Sequence, residues 1–395
     1  MTAPLPIDDA RRLVLAHARP LSAEEVTLAE ALGRVAAADA TAAVDLPPFS
    51  SSAMDGFAVR AADTPGTLKV AGESAAGRPA PVAVSAGTAV AISTGAVVPE
   101  GADAVVPVEE TTEADGGVSV GGVSPGANVR PRGGDVAAGA VVVARGMRLA
   151  PAAVAALAAA GVPAVSCACR PRVAVLSTGS ELRPPGAPLA AGQIYESNGL
   201  LLSAQLRTAG ALASVREPVP DDEEVLRRAL AEALEADVLL TSGGVSVGPH
   251  DLVRRLLAEA GVEEVFWGVA VRPGKPLFFG TRGTTLVFGL PGNPVSALVG
   301  FELFVRPALE ALQGLATPGP SFRPGRLLSP LRRDARRDQL VRALSRAAED
   351  AVALEPLTGQ ESHMIVRAAA ADALVLVPRG EGELAAGDTV SYLSV

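Results

Sequence analysis

Residues 238–251 read Val-Leu-Leu-Thr-Ser-Gly-Gly-Val-Ser-Val-Gly-Pro-His-Asp. An apolar strand end (Val238, Leu239, Leu240) runs into a loop carrying Gly243, Gly244 and Gly248, and a helix begins near Asp251. Glycines let the backbone approach a ligand closely, free amides point at an anion, and the helix dipole favours negative charge. Taken alone, the pattern is as consistent with an ordinary strand-to-helix turn as with a phosphate cradle. Other loops also follow predicted strands: Ser177-Thr178-Gly179-Ser180, Arg272-Pro273-Gly274-Lys275-Pro276 with two cations three residues apart, and Leu290-Pro291-Gly292-Asn293-Pro294.

Five carboxylates stand out beside these loops: Asp55, Asp135, Glu196, Asp222 and Asp251. Carboxylates with phosphate-binding loops suggest Mg²⁺ holding a phosphate or pyrophosphate, since Mg²⁺ takes oxygen ligands and keeps waters. Singly, each also reads as solvated surface or a helix cap, Asp222 above all. Asp55-Gly56 is a turn dipeptide, which fits a hairpin corner as well as a ligand site. The loop 93–103 offers hydroxyls and amides, and the loop 128–135 sets Arg130 and Arg132 beside Asp135; both read equally as solvated loops. No cysteine has a nucleophile's context and no His partners a serine. Cys167 and Cys169 have no further cysteine to complete a metal site, and His17, His250 and His363 are scattered.

The chain has 395 residues, 49% of them hydrophobic, which suits two to four domains with real cores. A net charge of −9 argues against non-specific nucleic-acid binding, and 3% aromatics against stacking platforms for single strands. No run of about 18 apolar residues suggests a membrane span. The acidic start (Asp8, Asp9) lacks a signal pattern, so a cytoplasmic enzyme is expected.

The elements follow from periodicity. Residues 7–38 read as helical, with Ser22 and Glu25 as a capping box and a short helix over 28–33 stopped by Gly33. Residues 67–145 hold short strands between Gly, Pro and Asp turns, which favours a small barrel or sandwich. The alanine-rich stretch 151–161 reads as a soluble helix. From Arg172 strands and helices alternate, giving an open α/β sheet of some 140 residues whose ligand site belongs where strand C-termini meet. Asn293 reads as the N-cap, and Pro294 as the first residue, of a helix reaching about Leu312. Residues 320–395 form a β-rich tail with strands near 340–344, 351–354, 373–377 and 390–393. The arginines of 332–337 read as a solvated face.

These motifs, in this order, resemble the molybdopterin molybdenumtransferase family, to which the gephyrin E domain also belongs. The resemblance rests on Ser52-Ala53-Met54-Asp55-Gly56, Ser93-Thr94-Gly95-Ala96, Gly101-Ala102-Asp103-Ala104-Val105-Val106 and Gly192-Gln193-Ile194-Tyr195-Glu196-Ser197-Asn198. It continues through Thr241-Ser242-Gly243-Gly244-Val245-Ser246-Val247-Gly248 with Asp251, Arg272-Pro273-Gly274-Lys275-Pro276 and Leu290-Pro291-Gly292-Asn293-Pro294-Val295-Ser296, and ends at Gly359-Gln360-Glu361-Ser362-His363-Met364. It implies a multidomain α/β plus β fold. An elongated N-terminal helical domain would take residues 1–50 and 140–171, and a β-barrel-like domain 51–139. A three-layer molybdopterin-binding α/β domain would take 172–317, and a small C-terminal β-barrel 318–395.

The same resemblance implies a homodimer with its active site between subunits. The reaction would take adenylylated molybdopterin and molybdate, release AMP and leave molybdenum on the dithiolene, with the molybdopterin adenylyltransferase and apo-molybdoenzymes as partners. The implied catalytic set is Asp55, Thr94, Asp135, Glu196, Asp222, Asp251 and Lys275, with Mg²⁺ at Asp55, Glu196 and Asp251. The implied substrate pocket comprises Ser177, Thr178, Gly179, Ser242, Gly243, Gly244, Ser246, Gly248, Arg272, Pro273, Gly274, Pro291, Gly292, Asn293, Pro294 and Ser296. The chain departs from the family pattern at Ser50 (usually Asp), Phe57 (usually Tyr) and Gly134 (usually a second acid). A molybdopterin-binding scaffold or a tungsten-inserting paralogue are the alternative readings.

Overall fold

The computed structural model describes residues 3–115, 117–244, 252–349 and 351–395. Glu25–Cys167 forms one compact unit, and Ala168–Val395 with the N-terminal segment up to Glu24 forms the other.

The second unit is built on a six-stranded sheet. From one edge its order is Leu212–Val215, Arg172–Ser177, Val238–Ser242, Thr285–Leu290, Phe278–Arg282 and Glu263–Trp267. The first four strands are parallel; Phe278–Arg282 runs antiparallel to both its neighbours, so Glu263–Trp267 returns to the direction of the first four. Val238–Ser242 is buried at every position, as a central parallel strand covered on both faces must be. Alternation divides the side chains between two cores. Val173, Val175, Val238 and Leu240 pack with Leu202, Leu206, Phe288, Phe304 and the N-terminal helix Ile7–His17. Ala174, Leu176 and Leu239 pack with Leu226 and Leu230 of Glu223–Ala233 and with Leu256 and Leu257 of Leu252–Glu259. The result is the expected three-layer α/β domain.

The β-rich tail closes into a five-stranded barrel. Asp338–Ala347, Val352–Pro356, Arg323–Leu327, Thr389–Ser394 and Ala373–Val377 pair in turn, and the last pairs back onto the first. Leu327, Val341, Leu354, Val375 and Tyr392 fill it. Val271 and Arg272 extend this sheet by pairing in parallel with Asp338 and Gln339.

The first unit holds a mixed six-stranded sheet in the order Ala104–Pro107, Gly56–Val59, Thr88–Ile92, Gly66–Ser74, Gly117–Val120 and Thr111–Ala114. Its residues divide between a cluster containing Val59, Leu68 and Val106 and one containing Ala58, Ile92 and Val105. The helix Pro151–Ala159 packs Leu157 against Val26, Leu149 and Val165.

Three local expectations fail. Residues 7–38 are helical only over Ile7–His17: Ala23–Thr27 is a strand and Leu28–Glu30 a single 3₁₀ turn. Ser22 forms no capping box; its hydroxyl lies 3.5 Å from the Cys169 thiol. Strand pairing outweighs the local pattern there, with Val26 the one buried side chain of its strand. Asn293 does occupy the position before Pro294, but its amide does not cap the helix. The helix also loosens into a π-turn at Phe301–Val305 before resuming as Arg306–Leu312. Arg323–Leu327 escaped the sequence because Pro324 and Gly325 are poor strand formers. Glycine is required at 325 by close packing, since a Cβ there would lie 2.5 Å from the Leu354 side chain. Among the described residues no helix is long and apolar enough to cross a membrane.

Candidate functional site

A cavity of about 690 Å³ opens at the carboxyl ends of the parallel strands. Three loops form nearly half of its wall: Ser177-Thr178-Gly179, Ser242-Gly243-Gly244 and Pro291-Gly292-Asn293-Pro294. Each continues a parallel strand, so neighbouring strands deliver their backbone amides to one place. Gly243 and Gly244 adopt φ of 91° and 66°. A Cβ at Gly243 would sit 2.8 Å from the Thr178 carbonyl, and one at Gly244 would sit 2.3 Å from the Val253 side chain. Glycine alone permits this approach.

One side chain ties the loops together. The Asn198 Nδ2, at the start of the helix Asn198–Thr208, donates to the Ser242 hydroxyl at 2.7 Å and to the Gly292 carbonyl at 2.8 Å. Glu196 Oε1 accepts from the Ser177 hydroxyl at 2.9 Å and from the Gly199 amide at 2.6 Å, so it also holds the helix start. Asn198 Oδ1 and Thr178 Oγ1 are buried without a hydrogen-bond partner. Buried polar groups are rarely left so, and orphans in a cavity wall mark a place that a polar ligand or water completes.

The remaining expected residues fall elsewhere. Arg272 and Lys275 are exposed, and neither pairs with a carboxylate among the described residues; the member of their loop that lines the cavity is Pro276. The Arg272–Pro273 peptide is cis and Gly274 has φ of 112°. Ser296 is buried in the helix Pro294–Gly300, off the cavity wall. Asp222 caps Glu223–Ala233, its Oδ1 accepting from the Glu224 and Val225 amides at 3.0 and 2.9 Å. Its neighbour Asp221 lines the cavity and accepts from the Ser180 amide at 3.2 Å. Ser246, Gly248 and Asp251 lie outside the described residues.

In the other unit, Asp55 and Thr94 are brought together: Asp55 Oδ1 accepts from the Thr94 amide at 2.7 Å, and both are exposed. Asp135 is exposed, its amide donating to the Leu46 carbonyl at 2.9 Å. Ser50 and Gly134 supply no acid to this loop, but Asp45 does. Its carboxylate accepts from Arg132 Nε at 2.6 Å and the Ala138 amide at 2.8 Å. The Ala138 amide, then the Arg132 guanidinium, hold Asp45 below the usual carboxylate range.

The sequence had given no site role to Glu181, Leu182, Asp221, His363 or Ile365, which also line the cavity, although His363 lies in one of the motifs that carry the resemblance. Asp221 is adjacent to a named acid, whereas His363 and Ile365 arrive from the C-terminal region. Arg342, 2% exposed, secures their loop. Its guanidinium donates to Gln360 Oε1 and to the carbonyls of Gly359, Glu361 and Met364 at 2.7–3.3 Å. Asn293 Nδ2 donates to the Ser362 hydroxyl at 2.8 Å, and the Val295 amide to the Ser362 carbonyl at 3.1 Å. Sequence separation hid this junction.

Glu181, Glu196 and Asp221 all line the cavity, yet no three acids, histidines or cysteines cluster as a metal cage among the described residues.

Comparison with known proteins agrees with this architecture. Residues 5–161 match the family model for the MoeA N-terminal region (domain I and II), 174–311 that for a "Probable molybdopterin binding domain", and 324–395 that for the MoeA C-terminal region (domain IV). Molybdopterin molybdenumtransferase 2 of Mycobacterium tuberculosis is 39% identical, covering 96% of this chain and 97% of its own. The molybdopterin molybdenumtransferase of Haemophilus influenzae is 36% identical over 78% of each chain. A crystal structure of a molybdopterin biosynthesis MoeA protein from Pyrococcus horikoshii OT3 superposes with a TM-score of 0.85 at 28% identity, covering 99% of this chain and 100% of that one. With all three regions matched in order, the chain belongs to the molybdopterin molybdenumtransferase family, transferases of molybdenum cofactor biosynthesis.

Proposed function

We propose that this enzyme takes adenylylated molybdopterin and molybdate, releases AMP and leaves molybdenum on the dithiolene. The observation that carries the reading is the convergence of the three loops on one cavity, with glycines at 243 and 244 where a side chain would press on the Thr178 carbonyl and on Val253. Amides in such loops bind the oxygens of a phosphoanhydride. Asn198 keeps the loops in register through Ser242 and Gly292, so those donors are positioned before substrate arrives. Arg272 and Lys275, exposed and without a carboxylate partner among the described residues, would be available to a tetrahedral oxyanion such as molybdate.

Mg²⁺ fits the site as a hydrated ion on one or two carboxylates and the substrate's phosphates, with Glu196, Asp221 and Glu181 as the candidates within the cavity. When bound, it would offset charge on the phosphoanhydride as that bond breaks. We further propose a cytoplasmic homodimer with its active site at the subunit interface. A molybdopterin adenylyltransferase would supply its substrate and apo-molybdoenzymes would take its product.

The test is to incubate the protein with adenylylated molybdopterin, Mg²⁺ and molybdate, and to follow AMP release and reconstitution of an apo-molybdoenzyme together. Both should require molybdate. Binding of the adenylylated pterin without either outcome would make the chain a binding protein instead.

A further inference from the structure

The cavity has a second chemical character. Leu182–Arg183 and Ile194–Tyr195 pair as a short parallel ribbon, Leu182 with Ile194 and Arg183 with Tyr195. Residues in register share a face of a sheet, and Tyr195 and Glu196 line the cavity next to Ile194. Leu182, Ile194 and Glu196 all line the cavity, and Glu196 is fixed by Ser177 at 2.9 Å. Leu182 and Ile194 therefore form an aliphatic shelf beside a carboxylate that is itself anchored to the strand carrying the first loop.

Among the described residues this shelf is only partly covered. Ile194 is 53% exposed and belongs to no apolar core among the described residues. Ile365, half-buried, adds a third aliphatic side chain to the same cavity. The ribbon is nonetheless held in place. The Ile194 amide donates to the Glu181 carbonyl at 3.0 Å, the Glu196 amide to the Arg183 carbonyl at 2.8 Å, and the Tyr195 hydroxyl to the Ala187 carbonyl at 3.0 Å. A fixed, branched, solvent-facing aliphatic surface inside a polar pocket gains most by covering a flat ring.

We propose that the Leu182–Ile194 shelf receives the face of a fused heteroaromatic ring of the substrate and sets affinity for it, while the glycine loops take the phosphates. This rests on the proposed activity, whose substrate carries such a ring at each end, adenine and pterin.

The experiment measures molybdate-dependent AMP release by Ile194→Ser, Leu182→Ser and Ile194→Leu. Covering a shelf contributes equally in ground and transition states, so the serine variants should raise KM for adenylylated molybdopterin roughly tenfold with kcat within about twofold. Ile194→Leu should restore KM. A merely structural role would move the thermal midpoint instead, which should not change at so exposed a residue. Inhibition by AMP distinguishes the ring: a parallel loss of AMP affinity places adenine on the shelf, and an unchanged one places the pterin there. Unchanged KM in both serine variants overturns the proposal. Should the wild-type protein release no AMP, the activity reading fails separately. Equilibrium dialysis of adenylylated molybdopterin against wild type and Ile194→Ser, with the pterin oxidised to its fluorescent form for quantitation, then decides the shelf: equal affinities reject it and a tenfold loss supports it.

Discussion

Asn198 spans two strand ends: one amide nitrogen reaches both the Ser242 hydroxyl and the Gly292 carbonyl, at 2.7 and 2.8 Å. Asn198→Ala removes both bonds, one to the buried Ser242 hydroxyl and one to the carbonyl of the exposed Gly292. We expect a loss of about 1–3 kcal/mol in unfolding free energy, with a larger proportional loss in AMP release because loop register is disturbed. Denaturant unfolding beside steady-state kinetics checks both. A variant that loses activity and no stability would place Asn198 on the substrate instead.

Gly244→Ala tests whether the loop geometry is obligatory. The φ of 66° costs a non-glycine residue roughly 1–2 kcal/mol, and the new methyl group would also press on Val253. Adding Val253→Ala should recover the steric part and leave the backbone part. Thermal midpoints of the single and double variants separate the two contributions.

Asp55→Asn keeps an oxygen able to accept from the Thr94 amide while removing the charge. The thermal midpoint should stay put. If the carboxylate acts in molybdenum insertion, reconstitution of an apo-molybdoenzyme should fall at least about tenfold. Unchanged insertion would remove Asp55 from the mechanism. Mixing Asp55→Asn with Glu196→Gln protein offers a second readout, since recovery of activity on subunit exchange requires a shared interfacial site.

The low pKa of Asp45 has a defined sign. Its carboxylate titrates below the usual range because the Ala138 amide and Arg132 favour the charged form. The stability it contributes is therefore present above the unfolded carboxylate value, near pH 4. It is lost as pH falls through the lower folded value. The difference in thermal midpoint between wild type and Asp45→Asn should be present at pH 7 and should shrink as the pH drops below about 4.

Arg342→Met should also be disruptive. It removes the guanidinium bonds to Gln360 Oε1 and three carbonyls and leaves the Gly359 carbonyl without a donor, at a cost of roughly 1–3 kcal/mol, and frees the loop that carries His363. Hydrogen exchange of residues 359–364 should rise even under conditions where the α/β sheet remains protected.

Much of this was legible in the chain. The glycine loops announce themselves because a strand, a positive-φ turn and a helix start each leave a local signature within about ten residues. The alternation from Arg172 onward gave the sheet for the same reason. What escaped depends on partners far away in sequence. Ala23–Thr27 carries helix-forming residues and is extended through pairing. Asp222 looks like a site acid and is a cap, while Asp221, one residue earlier, faces the cavity. His363 lies 70 residues from Asn293, and no spacing rule connects them, although their loops meet through Ser362.

The pairing of Val271 and Arg272 with Asp338 and Gln339 bears on how the chain can be cut. A protein engineer looking for a minimal catalytic core would trim at the linker near residue 318, where the helices end and the barrel begins. That cut would leave the cation-bearing loop as a loose end without its neighbour, and would strip His363 and Ile365 from the cavity. The barrel is therefore a poor candidate for deletion or for exchange as an interchangeable module, and fusion partners belong at its far turns, such as the one at Gly387-Asp388, where no strand of the α/β sheet depends on it.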